Sequence, residues 1–420
     1  MLEWNDLHPY NAVHVVRVRE VLDRPRLEAA IARTLERRGL MGLVLDRHAR
    51  TYQYQGGPAS VELRVCDAGP GWSPAFAQEI ERELNQPFAH AGSCNPFRCV
   101  VLPEGDAFSL ALAYFHPVAD AHSIVFLLKD IVDEYRGGAD AAPEAVPRSD
   151  PGCGDSLLRS HPSVVARKLA SLPASVAQMR HSCRPNYRDP ADFHNGLTLF
   201  TLGAEALRRV VRTAKALEVT VNDLFLALLM QAVSQIAPKR TRADRRRNLT
   251  LGCIVNTRKD LGRDSGGDFG LHLGSFFVHH EAPAGIALAD LARDIGGQTR
   301  RIKQSRLYLG AGVELTLGRL LMSLFAEHRR KKLYQKHYPL WGGLTNMNLN
   351  ALWPQPEGAR AVDYVRAVST GPVTPLVVSV TTIGAVANVT VTYRSTVFAA
   401  PEIERLKACF LEPAGLLATA

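Results

Sequence analysis

The stretch Phe108-Ser109-Leu110-Ala111-Leu112-Ala113-Tyr114-Phe115-His116-Pro117-Val118-Ala119-Asp120-Ala121-His122-Ser123 joins an apolar run to the start of a helical one. Its first eight residues are nearly all apolar, as expected of a β-strand covered on both faces. From Ala121 onward, Ile124, Leu127, Leu128, Ile131 and Tyr135 follow the 3.6-residue period to Arg136, and Gly137-Gly138 then predicts the helix end. Strand, turn and helix are thus contiguous. His116 stands at the strand end and Asp120 four residues on.

A histidine in such a turn can offer one ring nitrogen to a cleft while backbone holds the other. Its ordinary pKa lies near neutrality, which suits a general base. The spacing puts Asp120 either beside His116 as its orienting partner or at the helix N-cap, accepting from unpaired amides. The spacing alone does not separate these.

Working outward, residues 12–18 are β-rich. After Asp23-Arg24-Pro25 the positions Leu27, Ala30, Ile31 and Leu35 predict a helix. A second helix is expected over 74–84, then breakers Pro87, Gly92 and Pro96 precede a strand at 97–102. Residues 139–195 are rich in Pro, Ser, Gly and Arg around one weak helical stretch at 163–179, and read as a lobe connection with a boundary near 190. Beyond it, strands are expected at 197–202, 249–255, 274–280, 344–349, 376–380 and 386–393, with helices over 204–217 and 222–236. This divides the chain into an N-terminal lobe, 1–190, and a C-terminal lobe, 191–420.

The 420 residues exceed one ordinary domain and suffice for two. Hydrophobic residues at 46% and charged residues at 22% place the chain among globular proteins rather than disordered or fibrous ones. Seven scattered cysteines argue against a disulfide framework. The start Met1-Leu2-Glu3-Trp4-Asn5-Asp6 lacks a signal-peptide pattern and no apolar run reaches a membrane span, so a cytoplasmic protein is expected. The net charge of +9 gathers around Lys239-Arg240-Thr241-Arg242, Arg245-Arg246-Arg247 and Arg329-Arg330-Lys331-Lys332. Such clusters attract phosphates or acidic surfaces, or else are a solvated turn and a solvated helix end. They carry no interleaved aromatics and no nucleic-acid motif, so coenzyme A or an acidic carrier protein is the expected partner rather than nucleic acid.

Several separate pieces resemble the condensation domains and free-standing acyltransferases of the chloramphenicol acetyltransferase superfamily. Asn85-Gln86-Pro87-Phe88 and Asn95-Pro96-Phe97-Arg98 look like the elements before the motif strand, and Phe115 to Ser123 resembles the H-H-x-x-x-D-G-x-S core. Asp130 and Tyr135 fall where the family's next helix carries Asp and Tyr. Val219-Thr220-Val221-Asn222-Asp223-Leu224-Phe225-Leu226-Ala227 is similar to the T-V-N-D segment, and Gly252-Cys253-Ile254-Val255-Asn256-Thr257-Arg258 to the strand whose arginine pairs with the motif aspartate.

The resemblance implies an α/β fold of two chloramphenicol acetyltransferase-like lobes in a V with a central tunnel. It implies an acyltransferase acting on a coenzyme A or acyl-carrier-protein thioester and a hydroxyl or amine acceptor, with His116 as general base, Asp120 mainly structural and Arg258 locking it. The H-x-x-x-D histidine would take the acceptor's proton and return it to the leaving thiolate. Phe115 departs from the family's first histidine and Ala121 from its glycine. The D-F-G-W-G motif of plant BAHD enzymes is missing, and no carrier domain fits beside two lobes, so a stand-alone enzyme of specialised-metabolite or lipid biosynthesis is expected. Competing readings are condensation between two carrier-bound substrates and a non-catalytic, condensation-like binding module.

Asn346 and Asn348 resemble the family's segment beside the acceptor channel, where they either orient substrate or the oxyanion or satisfy loop backbone, and Ser379 and Thr381 are weaker candidates for holding an oxyanion. Residues 315–334 pair an apolar face with the second basic cluster, which suits either peripheral contact with an anionic membrane and a lipid acceptor, or a core helix with a basic last turn. His116, Asp120 and His122 have a superficial metal-ligand look without further ligands, so no metal and no permanently bound cofactor are expected. A monomer is expected.

Overall fold

The computed structural model describes residues 2–47, 51–59, 61–67, 72–89, 92–137, 161–241, 243–262, 268–313, 316, 339–354 and 362–411. Among these the helices are α1 (Leu2–Asn5), α2 (Arg24–Arg37), α3 (Pro74–Asn85), α4 (Ala121–Tyr135), α5 (Pro162–His181), α6 (Ala204–Ala216), α7 (Val221–Ile236), α8 (Leu288–Gln304) and α9 (Ala400–Leu411). The strands are β1 (Asn11–Val18), β2 (Leu43–Asp46), β3 (Thr51–Tyr54), β4 (Leu63–Val65), β5 (Ser93–Cys94), β6 (Phe97–Pro103) and β7 (Phe108–Phe115) in the first half. They continue as β8 (Asn195–Leu202), β9 (Leu249–Asn256), β10 (Leu273–His280), β11 (Gly342–Asn348), β12 (Val362–Val368), β13 (Leu376–Ile383) and β14 (Val386–Arg394).

Two large mixed sheets carry the fold, one ordered β12-β1-β7-β6-β4 and one ordered β10-β9-β11-β13-β14-β8, with a small β3-β2-β5 sheet beside them. All eight residues of β7 are buried, as the apolar run predicts. Alternation explains how. Leu110, Leu112 and Tyr114 face the core under α2 and α4, while Ala111 and Ala113 face Phe76, Ile80 and Leu84 of α3. The second sheet packs under α7, α8 and α9 through Leu224, Leu228, Leu291, Ile295 and Leu406.

The chain order does not keep the halves apart. β12 leaves the second half and pairs antiparallel with β1, Val362 opposite Val18 through Val368 opposite Ala12. A cut at residue 190 therefore leaves β12 on the far side from its sheet. Two further ties cross between the halves: the Asn85 carboxamide accepts the Asn195 amide at 2.9 Å, and the Asn195 carbonyl accepts from the Asn85 Nδ2 at 2.9 Å. Residues 317–338, with the second basic cluster, lie outside the described residues, so the amphipathic segment there is not placed. Among the described residues no single helix is long and apolar enough to cross a membrane.

Candidate active site

β7 ends at Phe115, and a 3-10 turn over His116–Val118 carries the chain to α4. Pro117 suits this tight turn because its ring fixes φ. The turn is pinned at its start, where the His116 amide donates to the Tyr10 carbonyl at 3.2 Å. The His116 ring is buried at 8% exposure, and its Nδ1 lies 3.0 Å from the Ala119 carbonyl. A carbonyl can only accept, so Nδ1 carries the proton and the lone pair sits on Nε2. Among the described residues Nε2 has no hydrogen-bond partner. Burial lowers the His116 pKa, against the opposing pull of the Ala119 carbonyl and the Asp120 charge. At neutral pH the ring is a neutral base with its acceptor nitrogen uncommitted.

Asp120 is the N-cap of α4 and does not hydrogen-bond His116. Its Oδ1 accepts from the Ser123 amide at 3.0 Å. Arg258, just past the end of β9, meets it with both terminal nitrogens: Nη1 donates to Oδ2 at 2.7 Å and Nη2 to Oδ1 at 3.0 Å. The His272 amide adds a bond to Oδ2 at 2.9 Å. Both side chains are nearly inaccessible, at 0% for Asp120 and 2% for Arg258. Burial alone would raise the Asp120 pKa, but the Arg258 charge and these donors outweigh it and hold the carboxyl below its ordinary value. Of the two arrangements the spacing allowed for Asp120, the structure has the cap, completed by an arginine 138 residues away.

Ser123 and Gly270 complete the joint. The Ser123 hydroxyl accepts from Arg258 Nη2 at 2.8 Å and from the Gly270 amide at 3.0 Å, and Asp120 donates its own amide to the Gly270 carbonyl at 3.0 Å. Nothing in the spacing of 268–272 signalled this loop. For Asp120→Asn, which keeps the cap but puts a neutral group against a buried guanidinium, stability and activity are expected to fall together, measured by denaturant melts and turnover. A folded but inactive variant would instead argue for a direct catalytic part.

The walls around His116 are aromatic. Tyr10 lies 5.1 Å from it between ring centroids and Tyr114 stands edge-on at 5.8 Å. Phe115, at the position of the family's first histidine, is 1% exposed and packs on Phe88 at 6.2 Å, so it belongs to the core. His122 packs edge-on against Phe126 at 5.1 Å on the helix.

The remaining candidates lie on the second sheet. Asn346 is half-buried in β11 with no side-chain partner among the described residues. Asn348 is exposed and its Oδ1 accepts the Asn350 amide at 3.0 Å, a local turn bond. Ser379 is buried in β13, opposite Thr345 of β11 and Thr390 of β14. Thr381 accepts from Arg366 Nε at 2.9 Å.

No protein-family profile and no curated protein sequence matches the chain. Solved structures do. The first condensation domain of the calcium-dependent antibiotic synthetase, in complex with a substrate analogue, is 15% identical, with 97% of this chain and 92% of that one covered and a TM-score of 0.72. The EpoB cyclization-docking bidomain from Sorangium cellulosum is 13% identical over 96% of this chain and 79% of that one, at a TM-score of 0.69. The epimerization domain from the third module of tyrocidine synthetase B is 15% identical over 97% and 90%, at a TM-score of 0.64. At such identities the likeness establishes the fold, and the chain has the mixed α/β fold of condensation domains.

Proposed function

We propose that this condensation-domain fold serves acyl transfer from a thioester, of coenzyme A or of a phosphopantetheinyl carrier, to a hydroxyl or amine, with His116 as general base. The observation that carries the reading is the single ring nitrogen left uncommitted on a buried, neutral histidine whose turn is fixed on every side. In this reading Nε2 removes the acceptor's proton as its oxygen or nitrogen attacks the thioester carbonyl. The imidazolium then protonates the departing thiolate, and no acyl-enzyme forms. Asp120 and Arg258 position the base rather than touch substrate. The pair holds the N-terminus of α4 and the end of β9 to one point, so the turn between them has little freedom. Condensation between two carrier-bound substrates shares this chemistry and differs in the donor that is accepted.

A depressed His116 pKa has a signed consequence. The base is competent when unprotonated, so kcat/KM is expected to rise with pH only below the ordinary histidine range and to be flat through neutrality. Following thiol release from a panel of acyl-coenzyme A and acyl-phosphopantetheine thioesters across pH 5–8 tests this, about one pH step at a time. A limb centred well above 6.5 would oppose a desolvated histidine as the base.

A further inference from the structure

Charge around the site does not balance. Arg258 is neutralised by Asp120, whereas Arg366 of β12, 4% exposed, meets no carboxylate among the described residues. Its Nε donates to Thr381 Oγ1 at 2.9 Å, its Nη1 to Thr345 Oγ1 at 3.0 Å, and its Nη2 to the carbonyls of Thr345 and Val380 at 2.9 and 2.8 Å. All four acceptors are neutral. A guanidinium has five N–H groups, so one on Nη1 remains. Burial lowers the Arg366 pKa to about 10, which leaves the group charged at neutral pH. Removing an unpaired cation from water is costly. A neutral side chain could join the same strands without that cost.

The cation faces the candidate base through a short series of rings. Arg366 sits opposite His14 across the β12–β1 pair, and His14 stands edge-on to Tyr114 at 5.5 Å, which stands edge-on to His116 at 5.8 Å. Burial keeps His14 neutral, reinforced by the charge of Arg366. The Tyr114 hydroxyl makes no hydrogen bond among the described residues, and it is not one of the enclosed, unpartnered polar atoms that include the Tyr54 hydroxyl. Buried tyrosines normally pair that hydroxyl. A free phenol donor next to His116 and, past His14 on the same sheet face, an unbalanced cation suit a ligand with a negative oxygen.

We propose that Tyr114 and Arg366 form a carboxylate site beside His116, so that one small-molecule ligand of this protein carries a carboxylate near the reacting centre. A permanent cation favours a permanently charged ligand. A charge that appears only in the transition state is commonly met by neutral donors such as backbone N–H groups. Assigning the carboxylate to a substrate of acyl transfer rests on the function proposed above, whereas carboxylate binding itself does not.

Calorimetric titration of the full chain with hexanoate and, separately, with its neutral analogue hexanamide tests the site without turnover. Wild type is expected to prefer hexanoate by about tenfold or more, and Arg366→Gln to reduce that to less than about threefold. Arg366→Lys, which keeps the charge and loses the forked bonds, retains the preference, whereas a purely structural arginine would give the same preference in all three proteins. Tyr114→Phe deletes a hydroxyl with no bond to lose and is expected to weaken hexanoate alone, so it decides the matter should Arg366→Gln fail to fold. Equal binding of both probes by wild type, binding of neither, or an unchanged preference in folded Arg366→Gln or in Tyr114→Phe overturns the proposal. Hexanoate preference without acyl transfer on any donor would defeat the functional reading and leave the carboxylate site standing.

Discussion

His116→Ala is expected to slow acyl transfer by about 10²–10⁴-fold while leaving the protein folded, the usual contribution of a positioned general base. The side chain makes a single hydrogen bond, from Nδ1 to the Ala119 carbonyl. Losing it costs on the order of 1 kcal/mol, because that carbonyl lies in a turn otherwise held by backbone bonds. The loss should therefore appear in kcat, with near-native melting and little change in donor affinity. Rapid-quench single turnovers, with thermal melts on the same samples, separate these quantities. A comparable fall in melting temperature and rate would make His116 a packing residue.

The second large effect is on stability. Arg258→Ala leaves the Asp120 carboxylate buried with only the Ser123 and His272 donors, and removes two charge-assisted bonds together with the bridge to Ser123. Breaking one side of a buried pair costs about 3–5 kcal/mol, far above the ordinary effect of a surface substitution. Urea unfolding should show that loss. Combining Asp120→Asn with Arg258→Met should recover part of it, because no uncompensated charge is then left behind. A loss below about 1 kcal/mol in Arg258→Ala would show that the pair does not hold the turn.

Much of the frame is visible in the sequence because its strongest elements are long and locally patterned. The β7 run, the period of α4, and the Thr220 and Asp223 capping box that opens α7 each follow from neighbouring residues. What escaped depends on distant partners. β12 reads as an ordinary mixed segment, with Asp363 and Arg366 inside it, and becomes a strand by pairing with β1 some 350 residues earlier, the separation of His14 from Tyr364. α8 continues its inner face in small residues. After Leu288, Leu291 and Ile295, Gly296 lies where an added Cβ would meet Val219 and Thr299 donates to Asp223 at 2.7 Å, so its apolar stripe fades in the second half of the helix. The short strands β2 to β5 have too few residues to show a period.

The site was legible to the same degree. His116, Asp120 and Arg258 stand in segments that resemble known motifs, and the structure brings the latter two into contact. Neither the Gly270–His272 loop nor Tyr10 has a local signature, since each reaches the site from a distant part of the chain. Arg366 was invisible for a similar reason. A lone arginine in a β-like segment looks like a solvated edge residue until its four neutral acceptors are seen.

The most direct test of acyl transfer is a product assay. Wild type and His116→Ala are incubated with acyl-coenzyme A and acyl-phosphopantetheine thioesters of graded chain length and with hydroxyl and amine acceptors, and ester or amide formation is followed together with thiol release. The account predicts equimolar thiol and acylated acceptor from wild type on at least one donor, with His116→Ala near the uncatalysed rate. Full transfer by folded His116→Ala, or no product from wild type on any donor of either kind, would contradict it.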